Sequence, residues 1–169
     1  MGYPKNYNRR MLINLGTSET PDWQLIADGI LSRGNSISET TNDYYYMAGL
    51  GTADTETSSQ VISVNFTGHR NVGNAVQDYI LDEVLYDLSG RDVEFMDYDD
   101  TVVIPSTGTK PVNGAKGTAS ISISDFGSGN AQERQTIAFA LRYKGKPTRG
   151  TVVATTTEGV TTYAFTAAT

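Results

Sequence analysis

Apolar residues recur at helical spacing in only one stretch of this chain, between Asn74 and Leu88. The positions that share this spacing are Val76, Tyr79, Ile80, Val84 and Leu88. Asn74 is a favourable N-cap, and Gln77, three residues later, completes the pattern of a capping box. Glycine often ends helices, so Ser89-Gly90 is a suitable stop. The pattern predicts one α-helix over about Asn74–Leu88, with an apolar stripe that packs against a sheet.

The rest of the chain alternates between apolar and polar residues with the period of β-strands. The predicted strands are Arg9–Leu15, Trp23–Ile26, Val61–Phe66, Val93–Tyr98, Thr101–Ile104, Lys116–Ser124 and Arg134–Tyr143. We expect the first two to form a hairpin and Asp99-Asp100 to be a turn. With the C-terminal segment the count is about eight strands. The pattern predicts a mainly β protein, a β-sandwich or barrel-like fold with one flanking helix.

Two segments depart from this pattern. Ser32–Gln60 is polar, with aromatic and small residues at its centre, and it predicts a long loop in which Tyr44–Met47 forms at most a short strand. Loops of this length are uncommon without a function, which favours docking on a partner over a disordered excursion. Residues 148–169 are rich in Thr, Ala and Val, with a turn at Glu158-Gly159. We expect a main domain over 1–147 and a C-terminal β-hairpin or arm over 148–169.

Length, charge and cysteine content argue against several classes of protein. The 169 residues suit one domain, and no apolar run approaches the roughly 20 residues of a membrane helix. The net charge of -6 argues against a protein that grips nucleic acid through its phosphates. There is no cysteine, which excludes disulfides and thiolate metal sites and suits synthesis in a cytoplasm.

Residues that carry chemistry are few, and we predict neither an enzyme nor a cofactor. His69 is the only histidine, so a two-histidine metal site is excluded. Gly68–Gly73 opens the predicted helix but lacks the lysine of a phosphate-binding loop. Carboxylates such as Asp97 and Asp99 fall within an acidic run, which by default is a solvated face.

Two stretches resemble the major tail proteins, or tail tube proteins, of long-tailed bacteriophages with non-contractile tails. One is G-Y-P-K-N-Y-N-R-R-M-L-I-N-L-G-T, continuing through P-D-W-Q-L-I-A-D-G-I. The other is F-T-G-H-R-N-V-G-N-A-V-Q-D-Y-I, a strand, a Gly-x-Arg turn at Gly68 and a helix start. The resemblance extends through most of residues 1–145.

This resemblance implies a β-sandwich with one helix, present as six copies in a ring, with rings stacked into the tail tube of a virion made in the host cytoplasm. The tube would bind a tape measure protein and the tail terminator and tail tip proteins. It would be the conduit for DNA ejection, and DNA would pass through it without specific binding. Six copies at -6 each carry -36, which would repel phosphates in a channel. The candidate channel-lining acids are Glu94, Asp97 and Asp99. The candidate ring-stacking residues are Tyr44, Tyr45, Tyr46, Met47 and Leu50.

Two other functions fit the residues less well. A β-sandwich that binds carbohydrate or a cell surface, at a tail tip or on a bacterium, would use Tyr44–Tyr46 and Trp23 for stacking. A hydrolase would use carboxylates near Asp97–Asp100 as acid and base.

Overall fold

The computed structural model describes residues 5–103 and 110–169, and nine strands lie within them. The strands are β1 (Arg9–Asn14), β2 (Trp23–Leu25), β3 (Ile30–Tyr45), β4 (Ala53–His69), β5 (Asp92–Val103), β6 (Lys110–Phe126), β7 (Thr136–Tyr143), β8 (Thr148–Thr157) and β9 (Val160–Ala167). One α-helix, α1 (Ala75–Tyr79), connects β4 to the later strands and continues as a π-helical turn over Ile80–Val84. The predicted mainly β class with one flanking helix is confirmed.

All nine described strands join in one antiparallel sheet, in which seven follow the order β2-β1-β5-β6-β7-β4-β3 and β8 and β9 lie off this path. The predicted hairpin of the first two strands is confirmed, since Leu12 pairs with Leu25. Strand β6 has two partners in succession along one side. Its first part pairs with β8 and its last part with β7. The sheet therefore branches beside β6, and the β8–β9 hairpin forms the second branch.

Alternation along the strands buries apolar side chains on both faces of the sheet. The first core contains Ile13, Phe95 and Phe139 of the strands, and Val76 and Ile80 of the helical segment pack against them. The second core consists of Leu12, Met96, Tyr98, Val112 and Val152, with Trp23, Leu25, Tyr163 and Phe165 packed against it. Strand β1 contributes to both cores, which explains its unbroken apolar run.

The sheet curls so that its two ends meet. Strand β3 lies at the far end of the strand order from β1 and β2. Nevertheless Arg33 Nη1 of β3 donates a hydrogen bond of 2.8 Å to the carbonyl of Arg9 in β1. Asn6 Nδ2 donates to the carbonyl of Arg33 at 2.8 Å. The curl encloses the first core and gives the barrel-like form that the sequence suggested.

The helix is shorter than the predicted Asn74–Leu88. Asn74 caps it as expected, since its side chain accepts from the backbone N–H of Gln77 at 3.1 Å. The regular helix ends at Tyr79, the π-turn ends at Val84, and Leu88 is 77% exposed rather than buried. The capping box is only half formed. Gln77 is buried and its amide instead accepts from the backbone N–H of Asn71 at 2.7 Å.

The predicted loop Ser32–Gln60 is wrong, because β3 and β4 continue through it as a long hairpin. The two strands pair from Ile30 to Tyr45 on one side and from Ala53 to Gly68 on the other. Both faces of this hairpin are exposed over most of its length, so it has no apolar alternation for sequence reading to detect. Its Thr and Tyr residues nevertheless suit extended backbone.

Other predicted boundaries also moved. Asp99-Asp100 is not a turn, because β5 runs unbroken from Asp92 to Val103. Ile104 of the predicted strand Thr101–Ile104 lies outside the described residues. The predicted strand Lys116–Ser124 begins earlier than expected, because β6 begins at Lys110. In the described parts of the chain, every helix is too short or too polar to cross a membrane.

Candidate functional site

The most exposed feature of the fold is the outer part of the β3–β4 hairpin, residues 34–61, which we call the arm. Every residue of the arm is exposed. Strand β4 pairs with β7 only from Ser63 to His69, so beyond that point the arm strands pair only with each other. At about 3.4 Å per residue, the twelve residues from Gly34 to Tyr45 span about 35–40 Å. A two-stranded ribbon that packs on nothing else is marginally stable at best in water.

The tip of the arm is apolar and aromatic. Met47 and Leu50 are 97% and 96% exposed in the turn between β3 and β4. Tyr44, Tyr45 and Tyr46 precede this turn, and the rings of Tyr44 and Tyr46 stack with centroids 6.3 Å apart. The structure thus brings all five candidate ring-stacking residues together. Contiguous exposed apolar surface of this kind marks interaction sites in soluble proteins.

Asp97 lies in a buried ionic cluster and presents no free carboxylate. Its side chain is 5% exposed, and its two oxygens lie 2.9 Å from Arg9 Nη2 and 2.9 Å from Arg33 Nη2. The hydroxyl of Tyr143 donates to it at 3.4 Å. The hydrogen bond to Asp97 raises the pKa of the Arg9 guanidinium. Burial, and after it the charge of Asp97, raises the pKa of Tyr143.

The three candidate channel-lining acids do not lie together. On β5, alternation places Glu94 on the opposite face from Asp97. Glu94 lies 3.2 Å from Lys116 Nζ and accepts from Asn14 Nδ2 at 3.0 Å. Asp99 accepts from the hydroxyl and the backbone N–H of Thr101, and these bonds lower the pKa of Asp99. Their role in a channel stays a prediction.

Sequence reading missed the partners of Asp97. Arg33 comes from the polar stretch taken as a loop, and Tyr143 from a strand more than forty residues away in sequence. Neither residue stands in a pattern that points to Asp97. Only the pairing of distant strands and the curl of the sheet bring them together.

The Gly-x-Arg turn between β4 and the helix is a structural junction. Arg70 is buried, pairs with Asp78 of α1 and lies 5.5 Å from the ring centroid of Phe126. A Cβ on Gly68 would lie 2.1 Å from the carbonyl of Gly29, so only glycine allows this approach of the strands. The backbone N–H of His69 donates to the same carbonyl at 2.8 Å.

The positions of Trp23 and of the acidic residues bear on the two alternative functions, a carbohydrate-binding module and a hydrolase. Trp23 packs against the second core under Lys116, whose Nζ lies 5.3 Å from its ring centroid. It therefore does not join the three tyrosines of the tip in one stacking surface. Among residues 5–103 and 110–169, no three His, Asp or Glu side chains group closely enough to hold a metal ion.

Comparison with known proteins gives no match to any family model and no match among curated proteins. Similar solved structures do exist. One is the tail of an empty gene transfer agent (GTA) particle with C6 symmetry. It is 19% identical, with a TM-score of 0.58 over 86% of this chain and 97% of that chain.

A second structure comes from the virion of a native GTA particle, at 12% identity and a TM-score of 0.55 over 87% of this chain and 98% of that chain. A third is the SPP1 tail tube, determined by solid-state NMR and cryo-EM. It is 17% identical, with a TM-score of 0.57 over 85% of this chain and 77% of that chain. These likenesses show that the chain has the fold found in tail tubes.

Proposed function

We propose that this chain is a structural, non-enzymatic subunit of a phage tail tube, assembling into hexameric rings that stack around a channel. The tail-tube fold supports the general role, and the C6 symmetry of the GTA tail supports six copies in a ring. The proposed location is the virion, after synthesis in the host cytoplasm. The proposed partners beyond further copies are a tape measure protein and tail terminator and tip proteins.

The observation that carries this proposal is the arm with its apolar tip. Residues 34–61 pair only within the β3–β4 hairpin among the described strands, and Met47 and Leu50 are almost fully exposed. Natural proteins rarely leave long strand edges and apolar tips uncovered, because both promote association. A repeating contact with further copies covers both, and a heterologous contact of this kind builds rings and stacks.

The sheet edges support the same proposal. Strand β3 pairs only with β4, and β9 pairs only with β8, so each has one free edge among the described strands. Free edges carry unpaired backbone N–H and C=O groups, which strands of a neighbouring copy satisfy when a ring closes. A closed ring removes the edges altogether.

Passage of DNA without adhesion follows from charge. Six copies carry -36, and like charge repels phosphates instead of binding them. Of the three predicted channel acids, Glu94 and Asp99 keep partial exposure, whereas Asp97 is buried by its ion pairs. We therefore propose Glu94 or Asp99 as the accessible channel-lining acid, since the two lie on opposite faces of β5 and a single channel is lined by one face.

Electron microscopy of the concentrated purified protein tests this proposal. We expect rings about six subunits around, or tubes built from them, over a range of salt concentrations. A strictly monomeric protein at every concentration, by microscopy and by sedimentation, would overturn it. Binding of the monomer on a glycan array would instead support a carbohydrate-binding module.

A further inference from the structure

A cleft opens where the sheet branches, between the base of the arm and the C-terminal hairpin. Strand β7 ends at Tyr143, and the chain crosses through residues 144–147 to begin β8. Strand β4 follows β7 only from Ser63 onward, so its outer part diverges from β8. The resulting cleft has a volume of about 620 Å³. Gln60 and Ile62 of β4 line one wall, and Pro147 lines the other.

The cleft is cationic in a chain that is acidic overall. Arg9, Lys146 and Arg149 line it. Neither Lys146 nor Arg149 has an ion pair or a side-chain hydrogen bond with any residue in the described parts of the chain. Asp97, at the floor, is neutralised by Arg9 and by the buried Arg33. Lys146 and Arg149, both exposed, therefore lack counterions within the described part of their own chain, whereas Arg9 is paired with Asp97.

The arm has the complementary charge. From Gly34 to His69 the sequence contains no lysine or arginine. The acidic residues of the arm are Glu39, Asp43, Asp54 and Glu56. Asp54 and Glu56 make no side-chain hydrogen bond or ion pair within the described residues, and both are exposed on the same face of β4.

An arm does not supply these charges to the cleft of its own chain. Gln60 forms the wall of that cleft, and Glu56 lies four residues farther out, about 13 Å along a strand that leads away. The acids of the arm and the cations of the cleft are thus complementary surfaces, and a second copy is the source of a contact between them.

We propose that the cationic cleft of one copy receives the acidic arm of a second copy. This inference rests on the proposed self-assembly and identifies the surface on which the arm docks. The apolar tip contributes buried area to the contact, and the opposed charges set its orientation and exclude a cleft-to-cleft or arm-to-arm arrangement. Because arm and cleft are different surfaces, the contact is head-to-tail, and such a contact either closes into a ring or continues from ring to ring along a stack.

Charge reversal on each surface, alone and combined, tests the proposal. The arm variant is Asp54→Lys with Glu56→Lys, the cleft variant is Lys146→Glu with Arg149→Glu, and the combined variant carries all four changes. The readout is the critical concentration for assembly, from light scattering and sedimentation. We expect each single-surface variant to raise it by roughly tenfold or more and the combined variant to return it to within about threefold of the unchanged chain.

A matched control separates the effect of charge in the cleft from the effect of the net charge of the chain. Arg134→Glu with Arg142→Glu changes net charge as much as the cleft variant, at exposed cations outside the cleft. We expect it to leave the critical concentration within about threefold. Melting temperatures by circular dichroism show whether each variant folds. If the cleft variant does not fold, Lys146→Gln with Arg149→Gln replaces it, with a smaller increase expected.

The outcomes separate this inference from the proposed function. Tubes that form equally well from all variants, or a combined variant worse than either parent, would overturn docking of the arm in the cleft and leave the tube proposal standing. Failure of the unchanged chain to form rings or tubes at any concentration would overturn the proposed function itself.

Discussion

Asp97 is the residue at which the two ends of the curled sheet are held together. Its carboxylate lies between Arg9 of β1, the second strand of the sheet order, and Arg33 of β3, the last strand. Arg33 is 8% exposed and also donates to the carbonyl of Arg9. A buried ion pair adds little relative to an apolar pair, but removal of one partner leaves a charge without compensation.

The first prediction therefore concerns Asp97→Asn. The change leaves the buried Arg33 guanidinium without its counterion, and we expect a loss of about 3–5 kcal/mol in the free energy of unfolding. Urea titration followed by circular dichroism measures it. Asp92→Asn is the matched control, because Asp92 forms an exposed ion pair with Lys144. We expect it to cost less than ~1 kcal/mol, and equal losses would show that Asp97 does not hold the ends of the sheet.

A second residue-scale prediction concerns the N-cap of the helix. Asn74→Ala removes the side-chain acceptor of the Gln77 N–H, and we expect a loss of about 1 kcal/mol in stability. Thermal melts measure it, with Asn74→Ser as the control because serine retains a capping oxygen. An unchanged melting temperature for the alanine variant would mean that the cap contributes nothing.

At the scale of elements, the arm is the longest part of the sheet whose residues are all exposed. Strands β5, β6 and β7 bury side chains in the cores, whereas residues 34–61 bury none. Local stability follows burial, so the arm belongs to the least stable part of the separate chain. Because the arm buries no side chain in the monomer, we expect substitutions at its tip to leave the stability of the monomer unchanged.

The prediction at this scale is for the double variant Met47→Ser with Leu50→Ser. Both side chains are almost fully exposed, so we expect the melting temperature of the monomer to stay within about 2 °C. Assembly should weaken by tenfold or more in critical concentration, because the buried apolar area of the contact is lost. Val160→Ser, at another exposed apolar position, is the control. An equal effect of the control would show that the tip has no special part in assembly.

At the scale of the whole molecule, charge determines how stability depends on pH. Hydrogen bonds lower the pKa values of two exposed carboxyls, Asp87 (bonded by Ser89) and Asp92 (bonded by Lys144). They also lower the pKa values of two half-buried carboxyls, Asp99 (bonded by Thr101) and Asp125 (bonded by Ser128). Burial raises the pKa values of Tyr79, Tyr98 and Tyr143. The two groups act at opposite ends of the pH scale.

We predict a broad stability maximum bounded on both sides. Below the unfolded carboxyl pKa of about 3.9, the unfolded chain binds protons before the folded one, so stability falls as the pH falls through the lowered pKa values. Above the unfolded tyrosine pKa of about 10, the unfolded chain releases protons first, so stability falls as the pH rises. Melting temperatures from pH 3 to 11 measure this. A melting temperature that rises on going from pH 5 to 3 would contradict the acid side.

The sequence by itself determined the features that depend on near neighbours. These are the mainly β class, the β1–β2 hairpin and the cap by Asn74, because alternation, turn residues and capping act over a few residues. Only the tertiary structure decided that residues 32–60 form a two-stranded hairpin and that Asp97 is buried between Arg9 and Arg33. Alternation of apolar and polar residues arises when one face of a strand is buried. The exposed β3–β4 hairpin buries neither face over most of its length, so its sequence does not alternate. The partners of Asp97 come from strands far apart in sequence, which only the curl of the sheet brings together.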